Sequence, residues 1–104
     1  MNFKIQGNAT DTGFNLKIDP RLEEETEFKK IIEIIDYLRT TFQLEVETEN
    51  LQRVTPQNCT FKAIDGIFLT VALSEPHGLT VECNSKRFLQ NLAPLIEKTV
   101  FAGV

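Results

Sequence analysis

Apolar and polar residues alternate from the start of the chain. Phe3 and Ile5 fall on one side of an extended segment, Lys4 and Gln6 on the other. The same period returns in Phe14, Leu16 and Ile18, separated by Asn15 and Lys17. Between the two runs lies GNATDTG, rich in residues that favour turns. Two period-2 runs around such a loop predict a β-hairpin with one buried face.

The period then changes. Phe28, Ile31, Ile32, Ile35, Leu38 and Phe42 recur at helical spacing, and Ile34 widens the stripe. Asp19 suits the N-cap, and Pro20 suits the first helical position, where a missing N–H costs nothing. Glu23, Glu24 and Glu25 would then lie in the first turns, where the helix dipole favours anions. The pattern predicts a helix from about residue 20 to 42. Leu44, Val46 and Thr48 next alternate with Glu45, Glu47 and Glu49, which favours a short strand over an extension of the helix. Residues 50–57 read as a loop closed by Pro56.

Residues 58–83 are the most strongly β-like part. NCTFKAI, DG, IFLTVAL, SEPHG and LTVEC read as three strands joined by two turns. Asp65-Gly66 is a favoured two-residue hairpin turn because both positions tolerate positive φ. A strict two-residue loop would put Phe61 and Ala63 on the face of Phe68, Thr70 and Ala72, and Lys62 opposite Leu69. A longer loop would shift that register, so the loop length decides which residues face the core. IFLTVAL carries apolar residues on both parities and is expected to be a central strand. In SEPHG, Pro76 suits the second turn position, His77 the third, and Gly78 the left-handed position from which the chain rejoins the ladder. Asn84 or Ser85 can cap a second helix, whose stripe is Phe88, Leu89, Leu92, Leu95, Ile96 and Val100. Pro94 within it predicts a kink or a restart.

The resulting order is β-β-α-(β)-β-β-β-α over a single domain, residues 1–104. The expected fold is α+β: one antiparallel sheet of four to six strands with two helices packed on one face. The other face would leave Phe68 and Ala72, or Ile64 and Ile67, partly uncovered. A second copy of the chain is the simplest cover for such a patch.

Composition narrows the function classes. Of 104 residues 41% are apolar, with eight Phe and no Trp, which suits a packed core. Net charge is −4, and residues 1–50 hold 11 acids against 6 bases. That imbalance argues against nonspecific nucleic-acid binding, which needs a basic stripe. GIFLTVAL, the longest apolar run, falls far short of the ~20 residues that span a bilayer. No signal-like segment is visible at the N-terminus, and a cytoplasmic location is expected. The glycosylation patterns at Asn8 and Asn58 are then chance, and Cys59 and Cys83 read as reduced thiols that could pair only from neighbouring strands.

Candidate chemistry is sparse. His77, Glu75, Glu82 and Cys83 lie close in sequence. A five-residue strand between His77 and Cys83 would separate them by roughly 15–20 Å at ~3.4 Å per residue, so the two would not share a metal. There is no C-x-x-C or H-x-x-x-H spacing and no phosphate-cradling glycine loop, so neither metal nor cofactor is expected. Glu45, Glu47 and Glu49 would project three carboxylates from one face of a strand, suited to a cation or a basic partner, or simply to a solvated edge. Lys86 and Arg87 open the second helix against the dipole. The expectation is a small protein-binding module of adaptor, immunity or regulatory type rather than an enzyme. Its contact residues would be Glu45, Glu47, Glu49, Phe68 and Ala72, and its partner another protein or a second copy. The alternatives are a small enzyme or ligand-binding domain using His77, Cys83 or the glutamate row, and a structural component of a larger assembly.

Overall fold

A computed structural model of the chain describes residues 2–7, 13–51, 57–75 and 78–102. The elements run β1 (Asn2–Gly7), β2 (Phe14–Asp19), α1 (Glu24–Thr40), β3 (Glu45–Asn50), β4 (Gln57–Lys62), β5 (Phe68–Ser74), β6 (Gly78–Cys83) and α2 (Lys86–Thr99). The strands form one antiparallel sheet in the order β1-β2-β6-β5-β4-β3. The α+β class, the element order and the central place of IFLTVAL are as the sequence predicts. Both helices lie on the same face: α1 rests on β5 and β6, and α2 on β1, β2 and β6.

The inward positions of the strands supply half the core. Leu16, Ile18, Cys59, Phe61, Leu69, Val71, Leu73, Leu79, Val81 and Cys83 are buried. The helices supply Ile31, Ile34, Ile35 and Leu38 from α1 and Leu89, Leu92, Ala93 and Ile96 from α2. Ile32 and Leu95, which the sequence puts in the stripes, are each 40% exposed, because each lies about 100° round its helix from the buried line. Pro94 is exposed and sits inside one continuous α2.

One local expectation changes, one open alternative is decided, and the reading of the cysteines as thiols stands. Asp19 does not cap α1, because it closes the β2 ladder opposite Asn2; Glu23 takes the cap position without a side-chain cap bond. The β4–β5 connection is not a strict two-residue loop. Asp65 and Gly66 do have positive φ (60° and 72°), but Ile64 joins them in a three-residue turn in which the Ala63 N–H donates to the Ile67 carbonyl at 2.8 Å. The added residue sets Phe61 opposite Leu69, both inward, and Lys62 opposite Phe68, both outward. Cys59 and Cys83 lie on β4 and β6 with β5 between them, and both are free and buried, so no disulfide joins them.

At the opposite end of the sheet a charged corner braces the β5–β6 hairpin. Glu27 lies one turn before Ile31 on the inward line of α1 and is only 2% exposed. Arg21 donates to its carboxylate at 2.9 Å and reaches on to Glu75 at 2.7 and 3.0 Å. Gly78 closes the hairpin at φ +75°, left-handed as the sequence predicts, while Pro76 and His77 lie outside the described residues. A Cβ on Gly78 would stand 2.6 Å from Arg21 Nε and 2.7 Å from Glu27 Oε2. The position therefore needs glycine for conformation and for space.

Two outcomes follow. Gly66 has a similar φ, but a Cβ there meets nothing within 4 Å. In urea unfolding, Gly66→Ala should cost about 1 kcal/mol for the left-handed backbone alone, and Gly78→Ala about 2 kcal/mol or more. Equal losses would show that the Arg21–Glu27 pair simply moves aside. The hydrogen bonds from Arg21 hold the Glu75 carboxyl below the usual carboxylate range. A depressed folded pKa stabilises above the unfolded value and is lost as pH falls through the folded one. Carboxyl NMR should show Glu75 titrating below the usual carboxylate range, and Arg21→Gln should raise its pKa.

Candidate functional site

The three-residue turn that sets the β4–β5 register also builds the most conspicuous surface. Ile64 is left unpaired at its tip and is 80% exposed. Phe68, at the start of β5, points to the helix-free face and is 41% exposed. Of the four large exposed hydrophobic residues among those described, two thus stand on one turn, where scattered single residues are the ordinary case.

Asn84 holds this turn from the end of β6. Its Oδ1 accepts from the Phe68 N–H at 2.9 Å, and its Nδ2 donates to the Gly66 carbonyl at 2.9 Å. The sequence offers Asn84 or Ser85 as the α2 cap. Ser85 takes that role, its Oγ accepting from the Phe88 N–H at 3.2 Å, which frees the Asn84 side chain for the turn.

Behind Ile64 lies a cavity of about 500 Å³, lined by Phe42, Leu44, Ile64 and Phe88 together with Glu45 and Lys62. Gln43 adopts a left-handed φ of 54°, uncommon for a residue with a side chain, as the chain reverses from α1 into β3. The Leu44 N–H closes onto the Leu38 carbonyl at 3.2 Å, so Phe42 and Leu44 both line the cavity.

The sequence candidates separate. A register shift between Val46 and Thr48 breaks the alternation of β3. Glu45 faces outward opposite Lys62, whereas Glu49 pairs with inward Cys59 and lies 3.7 Å from Arg39 on α1. Glu47 falls within the shift. The expected row of three carboxylates on one face is therefore absent: an extra residue in a strand reverses every side chain beyond it. Glu45 and Phe68 do come together, flanking Lys62 in the cross-strand row Glu45–Lys62–Phe68. Ala72 lies two residues along β5 from Thr70 on the same open face.

That open face is polar. One cross-strand row runs Thr48–Thr60–Thr70–Glu82–Asn15–Gln6 over all six strands, and the Thr60 and Thr70 hydroxyls bond at 2.9 Å. Among the described residues only Phe68 and Ala72 from β5 add apolar surface to it, so a broad apolar pairing of two sheets has no basis in the described part of this face.

Cys83 is buried on the inner face at the end of β6. Burial raises its thiol pKa, and pushes the Cys59 thiol up to about 11. Neither has the electropositive, accessible setting of a nucleophilic thiolate. His77 lies outside the described residues. Among the described residues no group of three or more His, Cys, Asp or Glu is placed to hold a metal ion, and no helix is long and apolar enough to cross a membrane.

No family model, curated protein or solved structure matches this chain. Its function must be argued from surface chemistry.

The thiols provide a check on the site. A chromogenic disulfide reagent at pH 8 should label neither Cys59 nor Cys83 in the folded protein and both after unfolding. Rapid native labelling of Cys83 would restore the nucleophile reading.

Proposed function

We propose that this chain is a small binding module that acts by protein–protein contact through the β4–β5 turn. One observation carries the reading: exposed Ile64 lines a largely apolar cavity of about 500 Å³, and exposed Phe68 stands just across the turn that Asn84 hydrogen-bonds. Specific interfaces concentrate their energy in a few well-packed apolar anchors surrounded by polar residues. Here Ile64 and Phe68 supply anchors, the cavity supplies a socket, and Glu45 and Lys62 supply a polar rim of both signs. The partner implied is a protein surface that offers an apolar side chain to the socket and opposite charges to the rim. A second copy of the chain meets that description, and so does a heterologous protein; the three-carboxylate basic partner does not, because Glu45, Glu47 and Glu49 do not share a face.

The test uses the purified chain immobilised against extract from its source cells, with sedimentation at micromolar concentration in parallel. A specific partner, or a dimer, should be lost with the double variant Ile64→Asp/Phe68→Asp and retained with Leu95→Asp on the exposed side of α2. Binding that survives the double variant, or no association in either experiment, would overturn the reading.

A further inference from the structure

The β4–β5 turn carries both halves of an apolar contact. Ile64 projects at its tip, 80% exposed. The turn beneath it is built by the chain's own hydrogen bonds: the Ala63 N–H donates to the Ile67 carbonyl at 2.8 Å, and Asn84 bonds to both Gly66 and Phe68. A β-branched side chain has few rotamers, so ordering it in a contact costs little. Beside it lies the cavity of about 500 Å³, walled by Phe42 and Leu44 from the α1–β3 connection and by Phe88 from α2, all three half-buried. At that exposure Ile64 lies along the edge of the cavity and does not fill it. A projection and a recess of the same apolar chemistry thus stand side by side.

The rim has the same double character. Glu45 and Lys62 line the cavity too, as direct cross-strand partners on β3 and β4, both exposed. Among the described residues neither makes an ion pair within 4.0 Å. The patch therefore offers one apolar projection, one apolar recess, one acid and one base. Turned through 180°, such a set is complementary to itself, which is the requirement for an interface between two identical chains. A different protein would need only one half of it.

On the reading that this turn makes a protein contact, we infer that its partner is a second copy of the chain, docked about a twofold axis that passes beside Ile64. Ile64 of each copy enters the other's cavity between Phe42, Leu44 and Phe88, and meets the Ile64 that lines it. Residues next to a twofold axis touch their own counterparts, and residues to either side exchange partners. Glu45 of each copy then faces Lys62 of the other. A docking that set Glu45 against Glu45, or Lys62 against Lys62, is penalised by like charge, so the rim selects the orientation while the apolar exchange supplies the affinity. The helix-free face of the sheet takes no part and stays in water.

The experiment is sedimentation of the whole chain from about 1 to 500 μM, a range that covers modest self-association. A monomer–dimer equilibrium should appear. Ile64→Asp should weaken it about tenfold or more with an unchanged circular dichroism spectrum, and Leu95→Asp should leave it alone. Glu45→Lys and Lys62→Glu, both at exposed positions, should each weaken it about tenfold, because each sets like charges across the axis. An equimolar mixture of these two variants should recover a one-to-one dimer, since each then supplies the charge the other lacks. A pair that acts only within its own chain gives no such recovery. A chain that stays monomeric over this range, a dimer indifferent to Ile64→Asp, or charge variants that mixing does not rescue would overturn the second copy. If a different protein from extract is then still captured through Ile64 and Phe68, the contact reading stands without the dimer; if none is, both fall.

Discussion

The register of the β4–β5 hairpin is the constraint on which the rest of the molecule depends. Phe61, Leu69 and Val71 are fully buried, and burying each such side chain contributes about 1.5–3 kcal/mol. A slip of one residue between the two strands would put Phe61 in step with Phe68, Thr70 and Ala72 and break the common apolar surface on which α1 rests. The three-residue turn prevents this. It keeps the two left-handed positions that Asp65-Gly66 favours and adds Ile64 to correct the phase. The same correction ejects Ile64 into solvent and sets Phe68 on the open face, so the apolar turn surface is a by-product of core registration.

The opposite end of the sheet is fixed by charge rather than by apolar packing. Glu27 sits on the buried line of α1, where a carboxylate is tolerated only with a strong donor. Arg21 provides it and also ties in Glu75, so one guanidinium joins the start of α1 to the β5–β6 hairpin. Gly78 leaves the room that this arrangement occupies. Breaking a buried pair leaves an uncompensated charge, which makes this corner a specific fastening and not a general adhesive.

With both helices on one face, the other is left to its own side chains. Threonine, asparagine, lysine and glutamate hold it in water, so the sheet needs no second layer. Its edge strands differ in the same spirit. β3 carries Glu45, Glu47 and Glu49 and a register shift, features that discourage pairing with another strand. What the open face retains is the short side chains of Ala72 and Thr80, opposite one another across β5 and β6, and the turn end with its two apolar residues. Both surfaces draw on β5, Phe68 at its start and Ala72 four residues on.

By itself the sequence determined the element order, the helix-on-one-face architecture and the left-handed Gly78. These follow from local rules: period 2 against period 3.6, turn chemistry, and the φ that glycine permits. What only the tertiary structure decided is wherever one residue is counted differently. The register shift between Val46 and Thr48 scattered a carboxylate row that strict alternation puts on one face, and the extra turn residue at Ile64 chose between two meander registers. Glu27 was legible only as part of an acidic helix start, although its spacing to Ile31, Ile34 and Leu38 places it on the buried line. Glu45 and Lys62 carry no joint motif, since residues on neighbouring strands become neighbours only through pairing. Local sequence sets the period of an element, and pairing between elements sets its phase; the candidate surface depends on the phase.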